Sequence, residues 1–80
     1  MSHWDLELLV FAEANRRVSR AEELISGQKA LIERMTAEGK DTTGSEELLA
    51  VYTTLLETAY NHRESVLQEM NFGFSPTLFT

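Results

Sequence analysis

Apolar side chains recur every seven residues through the first half of the chain. A second series, which includes two alanines and has Glu7 as a polar exception, runs beside the first. This a/d pattern predicts one long helix, over about residues 3–37, that packs closely against another helix. The two series are Trp4, Phe11, Val18, Ile25 and Ile32, and Ala14, Ala21, Gln28 and Met35.

A short polar segment interrupts this pattern and a second helical pattern follows it. We predict a turn over residues 38–44, with Gly39 as the left-handed residue that ends the first helix. The second helix is expected over about residues 45–70. A connection this short makes the two helices antiparallel neighbours, so residues 1–71 are predicted to form an all-α helical hairpin.

Several residues of the turn can cap the second helix. Thr43 with Glu46 three residues later fits a capping box, and Asp41 and Thr42 are competing caps. The second helix therefore starts between Thr42 and Ser45.

The apolar pattern of the second helix predicts which of its residues face the first. Counting outward from the turn, residues whose numbers add to about 81 should face each other, which places Gln28 near Tyr52. The predicted seam contains a second polar member, His62. The seam residues are Leu48, Tyr52, Leu55, Ala59, His62 and Val66, with Leu49, Leu56 and Met70 beside them.

The apolar stripe of the first helix is wider than one partner helix can cover. Leu24 and Leu31 extend it on one side. A stripe of this width favours a bundle, so we expect two hairpins to form a homodimeric four-helix bundle. The candidates for dimer or tail packing are Trp4, Phe11, Leu24, Leu31, Leu49, Leu56, Phe72, Phe74 and Phe79.

The last residues, 72–80, have a different character. Gly73 and Pro76 oppose a continued helix, yet the segment is rich in phenylalanine. We expect this tail to fold back over Trp4 and Phe11. The alternative is a free aromatic peptide that docks on an unknown protein partner.

Composition narrows the classes of function. The 80 residues lack cysteine, which excludes disulfides and thiolate metal sites. The net charge of −6 disfavours nucleic-acid binding. No run approaches the roughly 18 apolar residues of a membrane span, and the amino terminus lacks the pattern of a signal peptide. The expectation is a soluble cytoplasmic protein that uses no cofactor.

Two polar seam residues are candidates for a specific role. Gln28 fits a residue that sets register or oligomeric state, with Tyr52 as its neighbour, and the alternative is a bundle-edge amide bonded to water. His62 is either a pH-sensitive residue or, more commonly for a lone histidine, a hydrogen-bonded bundle residue.

Catalytic and metal sites find no support in the pattern. No Glu-x-x-His motif of a di-metal bundle occurs, because Ala59 stands three residues before His62. No nucleophile has a base in helical register. Arg16, Arg17 and Arg20 form a basic patch for a phosphate or acidic partner, or a solvated helix face paired with neighbouring glutamates.

The segment from Val18 to Met70 resembles short uncharacterised bacterial helical-hairpin proteins. That resemblance implies a hairpin fold and no activity. Separately, Ser45-Glu46-Glu47-Leu48-Leu49 is similar to the Ser-Gln-Glu-Leu-Asp motif of hairpins that dephosphorylate response regulators, but Leu49 replaces the acid. The residues that match the hairpin group are Ile25, Gln28, Leu31, Ile32, Gly39, Asp41, Thr42, Leu48, Leu49 and His62.

These observations favour a non-enzymatic interaction or structural module. The alternative is a regulator that binds a signalling protein through an acidic helix face or through the aromatic tail. A response-regulator phosphatase-like hairpin is the third and weakest interpretation.

Overall fold

The computed structural model describes residues 3–74, and the side-chain surroundings of residues 5–70. Helix α1 spans His3–Ala37 and helix α2 spans Thr43–Phe74. The helices pack against each other along their length, and the described residues contain no strand. The predicted all-α hairpin is therefore confirmed.

Helix α1 ends in the expected left-handed turn at Gly39. Gly39 has a φ of 72°, a conformation that glycine adopts without the steric penalty of a Cβ atom. The amide of Lys40 donates to the carbonyl of Met35 at 2.9 Å, and the amide of Gly39 donates to Thr36 at 3.0 Å. These two bonds form a Schellman motif, which satisfies carbonyls at the helix end.

Helix α2 begins inside the predicted interval, with Asp41 as the side chain that binds its first turn. The Asp41 carboxylate accepts hydrogen bonds from the Thr43 amide at 3.0 Å and from the Thr43 hydroxyl at 2.7 Å. The Glu46 amide donates to the carbonyl of Thr42 at 2.8 Å. In a capping box, the Thr43 hydroxyl would accept a hydrogen bond from the first turn of the helix. Here that hydroxyl is a donor, and the acceptor at the start of the helix is the Asp41 carboxylate.

Helix α2 is longer than predicted, because it continues through Gly73 to Phe74. A helical glycine costs only about 1 kcal/mol relative to alanine, whereas the residue before a proline is disfavoured in the helical conformation. Gly73 is therefore compatible with a continued helix. Phe72 and Phe74 belong to α2, which corrects their assignment to a tail. Residues 75–80, including Phe79, lie outside the described residues, so the folded-back tail stays a prediction.

The core is a single seam between two helices. The Cα atoms extend over 63 × 25 × 14 Å, a thickness that corresponds to one layer of helices. Ala14, Val18, Ala21 and Gln28 are buried on α1, as the seven-residue pattern predicted. Large side chains such as Phe11 and Ile25 are only half-buried. With a single layer, one side of each large residue has no protein atoms to contact.

The seam of α2 keeps half of the predicted residues, and each of the other three predicted residues is replaced by the residue that follows it. The residues turned toward α1 follow a spacing of four and three: Ser45, Leu49, Tyr52, Leu56, Ala59, Arg63, Val66 and Met70. Leu49 and Leu56 lie in the seam, while Leu48 and Leu55 are exposed. Leucine occupies both 48 and 49, and both 55 and 56. Hydrophobicity alone therefore does not decide which leucine of each neighbouring pair faces α1.

Three side-chain contacts establish how the helices are aligned along their axes. Ser45 Oγ donates to Met35 Sδ at 3.2 Å, Tyr60 Oη donates to Glu22 at 3.0 Å, and Arg63 donates to Asn15 at 3.3 Å. The residue numbers of these pairs add to 80, 82 and 78. These three sums agree with the predicted value of about 81, whereas the hydrogen bond from Gln28 to Ser45 has a sum of 73.

Candidate functional site

Gln28 is the buried polar residue of the seam. Its side chain is 7% exposed, and its amide nitrogen donates to the main-chain carbonyl of Ser45 at 2.8 Å. A carbonyl oxygen has two lone pairs, so this bond can coexist with the helical bond of the same oxygen. The hydrogen bond goes to the first turn of α2, and not to the expected neighbour Tyr52. Tyr52 itself is half-buried in the seam.

His62 lies on the surface, which corrects its assignment to the seam. The adjacent residue, Arg63, occupies the seam position. Its guanidinium lies 5.2 Å from the centre of the Tyr60 ring and also donates to Asn15 Oδ1. An arginine can take a seam position because its aliphatic stem packs while its charged end reaches the edge.

One broad face of the hairpin carries polar interactions between the helices. Tyr60 and Glu22 form one bridge, and Arg63 and Asn15 form the next. Thr53 lies seven residues before Tyr60 and therefore on the same face. We call this the polar face. Its side chains are satisfied within the chain.

The opposite face carries an exposed apolar patch, which we call the leucine face. Leu48, Val51 and Leu55 of α2 are 40%, 60% and 47% exposed. Leu24 and Leu31 of α1 are half-buried and complete the patch. They lie seven and fourteen residues after Arg17, on the same side of α1. The prediction that Leu24 and Leu31 extend beyond the hairpin seam agrees with their partial exposure.

A groove continues the leucine face toward the open end of the hairpin. Its volume is about 410 Å³, and its floor is formed by Ala21 and Ala59. Small residues at these two positions leave space between the helices. We call it the arginine groove. Its walls are Glu13, Arg16, Arg17, Arg20, Leu55, Thr58 and His62.

The arginine groove is only partly neutralised. Glu13 accepts from Arg16 at 2.6 Å and lies 3.5 Å from Arg17. These cations, Arg16 first, hold the pKa of the Glu13 carboxyl below its ordinary value. Arg20 has no ion pair or hydrogen bond to another side chain that the structure describes. The groove thus combines an apolar floor with excess positive charge.

The described residues bear on two further kinds of site, a metal site and the phosphatase-like motif. Between residues 3 and 74, no cluster of three His, Asp or Glu side chains could hold a metal ion. Ser45, the first residue of the phosphatase-like motif, is half-buried and donates its hydroxyl to Met35 Sδ. Its hydroxyl is therefore engaged in the seam. Neither helix, over its described length, is apolar enough to cross a membrane.

The other apolar candidates are divided between these surfaces and the open end. Leu49 and Leu56 pack in the hairpin seam, and Phe11 is half-buried near the open end. Leu6 and Leu9, near Phe11, are 53% and 52% exposed. The side-chain surroundings of Trp4, Phe72 and Phe74 lie outside the described residues. The sequence analysis did not include Val51 among the candidates. Val51 lies three residues after Leu48 and four before Leu55, and this helical spacing places it on the leucine face.

No protein family, curated protein or solved structure matches the chain. The resemblance to bacterial helical-hairpin proteins therefore stays a prediction.

Proposed function

We propose that this protein is a non-enzymatic interaction module that acts as a homodimer, with two hairpins forming a four-helix bundle. The observation that carries the proposal is the contrast between the two broad faces. The polar face carries hydrogen bonds between the helices and one exposed leucine, Leu67, whereas the leucine face exposes three large apolar residues side by side. A contiguous apolar patch beside a polar surface is typical of a protein interaction site.

The dimensions of the hairpin support a second copy as the partner. A small chain with a single-layer core gains much of its stability by association. A stable interface needs roughly 800 Å² from each partner. The broad face of the hairpin measures 63 × 25 Å, which is large enough. Association through the leucine face would also cover Leu24 and Leu31, the two residues that widen the stripe of α1.

The test uses a pair of matched substitutions on the two faces. Val51→Asp places a charge in the leucine face, and Thr53→Asp places it on the polar face. Both substitutions replace a β-branched residue that is exposed in the isolated hairpin, so neither should unfold the chain. Burying an unpaired carboxylate in an interface is strongly unfavourable.

Solution mass is measured by analytical ultracentrifugation. The native chain and Thr53→Asp should have twice the monomer mass of 9.1 kDa, and Val51→Asp should be monomeric. A native chain that remains a monomer at high concentration would overturn the proposal. So would equal behaviour of the two variants.

A further inference from the structure

The leucine face is not centred on the hairpin, and this asymmetry bears on how two copies can pack. Its members lie between Leu24 and Leu31 on α1 and between Leu48 and Leu55 on α2, in the half of the molecule nearer the turn. The centre of the patch is close to Gly27. A Cβ atom at Gly27 would have nothing within 4 Å, so another helix can approach closely there.

Charge is distributed unequally on either side of this centre. Toward the open end, the arginine groove contains Arg16, Arg17 and Arg20 against the single Glu13, a net charge of +2. Toward the turn, residues 38–47 contain four carboxylates and one lysine, Lys40, which pairs with Glu38 at 3.1 Å, so the net charge is −3. The two regions lie at similar distances from Gly27, about ten residues along α1 in each direction.

Two face-to-face arrangements are compatible with twofold symmetry. If both turns lie at the same end, the two arginine grooves are stacked on each other and their positive charges repel. If the turns lie at opposite ends, each groove is stacked on the partner copy's acidic turn. Like charges placed together across an interface repel, so the charges favour opposite ends.

We propose that the two hairpins pack through their leucine faces with the turns at opposite ends and the twofold axis near Gly27. Each copy's acidic turn then lies over the arginine groove of the other. This inference rests on the proposed homodimer and adds its orientation. It also gives the arginine groove a partner: residues 38–47 of a second copy.

The arrangement predicts specific pairs of residues across the interface. With the axis near Gly27, residues of the two α1 helices whose numbers add to about 55 are stacked. Leu24 then lies over Leu31 of the other copy, and Arg17 lies over Glu38. The two α1 helices overlap over residues 18–37, which is about 20 residues or about 30 Å at 1.5 Å per residue. An overlap of this length across a face 25 Å wide covers about 750 Å², close to the roughly 800 Å² that a stable interface needs from each partner.

The orientation is tested by a distance between spin labels. Because the chain lacks cysteine, Glu38→Cys gives one label per copy at an exposed site. With the turns at opposite ends, the two labels are about 33 Å apart along the bundle. With the turns at the same end they are about 14 Å apart, the diagonal of a four-helix bundle. Gly27→Cys is the control, because its labels are close in both arrangements.

The outcomes of the labelling experiment separate the two proposals. A dimer with distant labels at residue 38 and close labels at residue 27 supports the orientation. A dimer with close labels at residue 38 overturns the orientation and leaves the homodimer standing. A dimer with distant labels at residue 27 also overturns it, since the axis would not lie near Gly27. A native, unlabelled chain that is monomeric in solution overturns the proposed function itself.

Charge reversal provides a second test of the same contact. Arg17→Glu and Glu38→Arg should each weaken the dimer about tenfold, and the double variant should recover most of that loss. Within one chain these residues are about 31 Å apart along α1, so recovery must come from contact between copies. If the double variant weakens the dimer by the product of the two single effects, the proposed pairing of Arg17 with Glu38 is wrong. Circular dichroism of each variant confirms that the helices are retained.

Discussion

The side-chain amide of Gln28 donates to the main-chain carbonyl of Ser45 at 2.8 Å. This bond connects the middle of α1 to the first turn of α2 across the seam. A sliding of one helix along the other would break it and leave a buried amide without a partner, which costs about 1–3 kcal/mol. Gln28 therefore favours one alignment of the two helices.

Gln28→Ala should lower the free energy of unfolding by about 2 kcal/mol, because it removes both the hydrogen bond and the buried methylenes. Gln68→Ala is the matched control, since Gln68 is exposed on α2 and should change stability by less than about 0.5 kcal/mol. Urea unfolding at a fixed protein concentration measures both. Equal midpoints for the two variants would contradict the role assigned to Gln28.

Gln28→Leu should behave differently from the alanine variant. Leucine restores the buried apolar volume but not the bond, so stability should recover while the alignment becomes less specific. Amide NMR spectra should then show more than one resonance set for residues 45–48. A single set, identical to that of the native protein outside the substituted site, would argue against alignment by Gln28.

Asp41 should make the hairpin sensitive to acid. Hydrogen bonds from the Thr43 amide, and then from its hydroxyl, lower the pKa of Asp41 from its ordinary value of 3.8. The ionised form is thus preferred in the folded state. Its stabilising contribution is present above pH 3.8 and is lost as the pH falls through the lower, folded-state pKa.

Thermal melts of Asp41→Asn between pH 2 and 7 test this dependence. The variant should melt at a lower temperature than the native protein at pH 7, and the difference should shrink toward pH 2. Glu47→Gln removes a neighbouring exposed carboxylate and serves as the control. A difference that stays constant over the whole pH range would refute the contribution of ionised Asp41.

Tyr60 should titrate at a higher pH than an ordinary tyrosine. Its hydroxyl donates to Glu22, and this bond, with the carboxylate's negative charge, raises the pKa of Tyr60 above 10.0. The bond's contribution is present below pH 10 and is lost as the pH rises through the raised pKa. In a Tyr52→Phe background, the tyrosinate absorbance reports Tyr60 alone. Adding Glu22→Ala should move the midpoint toward 10, and an unchanged midpoint would contradict the assignment.

Arg63 and His62 form a matched pair for testing the alignment of the α2 seam. Arg63→Ala should lower the free energy of unfolding by about 1–2 kcal/mol, through loss of stem packing, the contact with Tyr60 and the bond to Asn15. His62→Ala should change it by less than about 0.5 kcal/mol, because His62 is exposed. Chemical unfolding measures both. If His62→Ala lowers the free energy of unfolding more than Arg63→Ala does, the observed seam is wrong and the predicted seam, which contains His62, is favoured.

The first helix was the most predictable part of the molecule. Its two seven-residue series, which no proline interrupts, identified Ala14, Val18 and Ala21 as buried. Gly39 was also predictable, because a glycine directly after a helical pattern marks the left-handed end of that helix. The length of the turn then required an antiparallel hairpin, and counting outward from it yielded the observed alignment.

The seam of α2 was less predictable for a specific reason. Leucine occupies both 48 and 49, and both 55 and 56, so two frames bury similar apolar surface. The observed seam includes Ser45 and Arg63, two polar residues that an apolar pattern does not place between helices. Their polar groups are satisfied there by Met35, by Asn15 and by the ring of Tyr60.

The sequence by itself determined that this chain is a helical hairpin, where α1 ends, and which residues of α1 enter the seam. These properties depend on local backbone preferences and on the period of one helix. Only the tertiary structure decided the rotation of α2 about its axis, and with it the positions of His62, Arg63 and Val51. That rotation depends on contacts between residues far apart in the chain, such as Asn15 with Arg63 and Glu22 with Tyr60. It produces one satisfied polar face and one exposed leucine face.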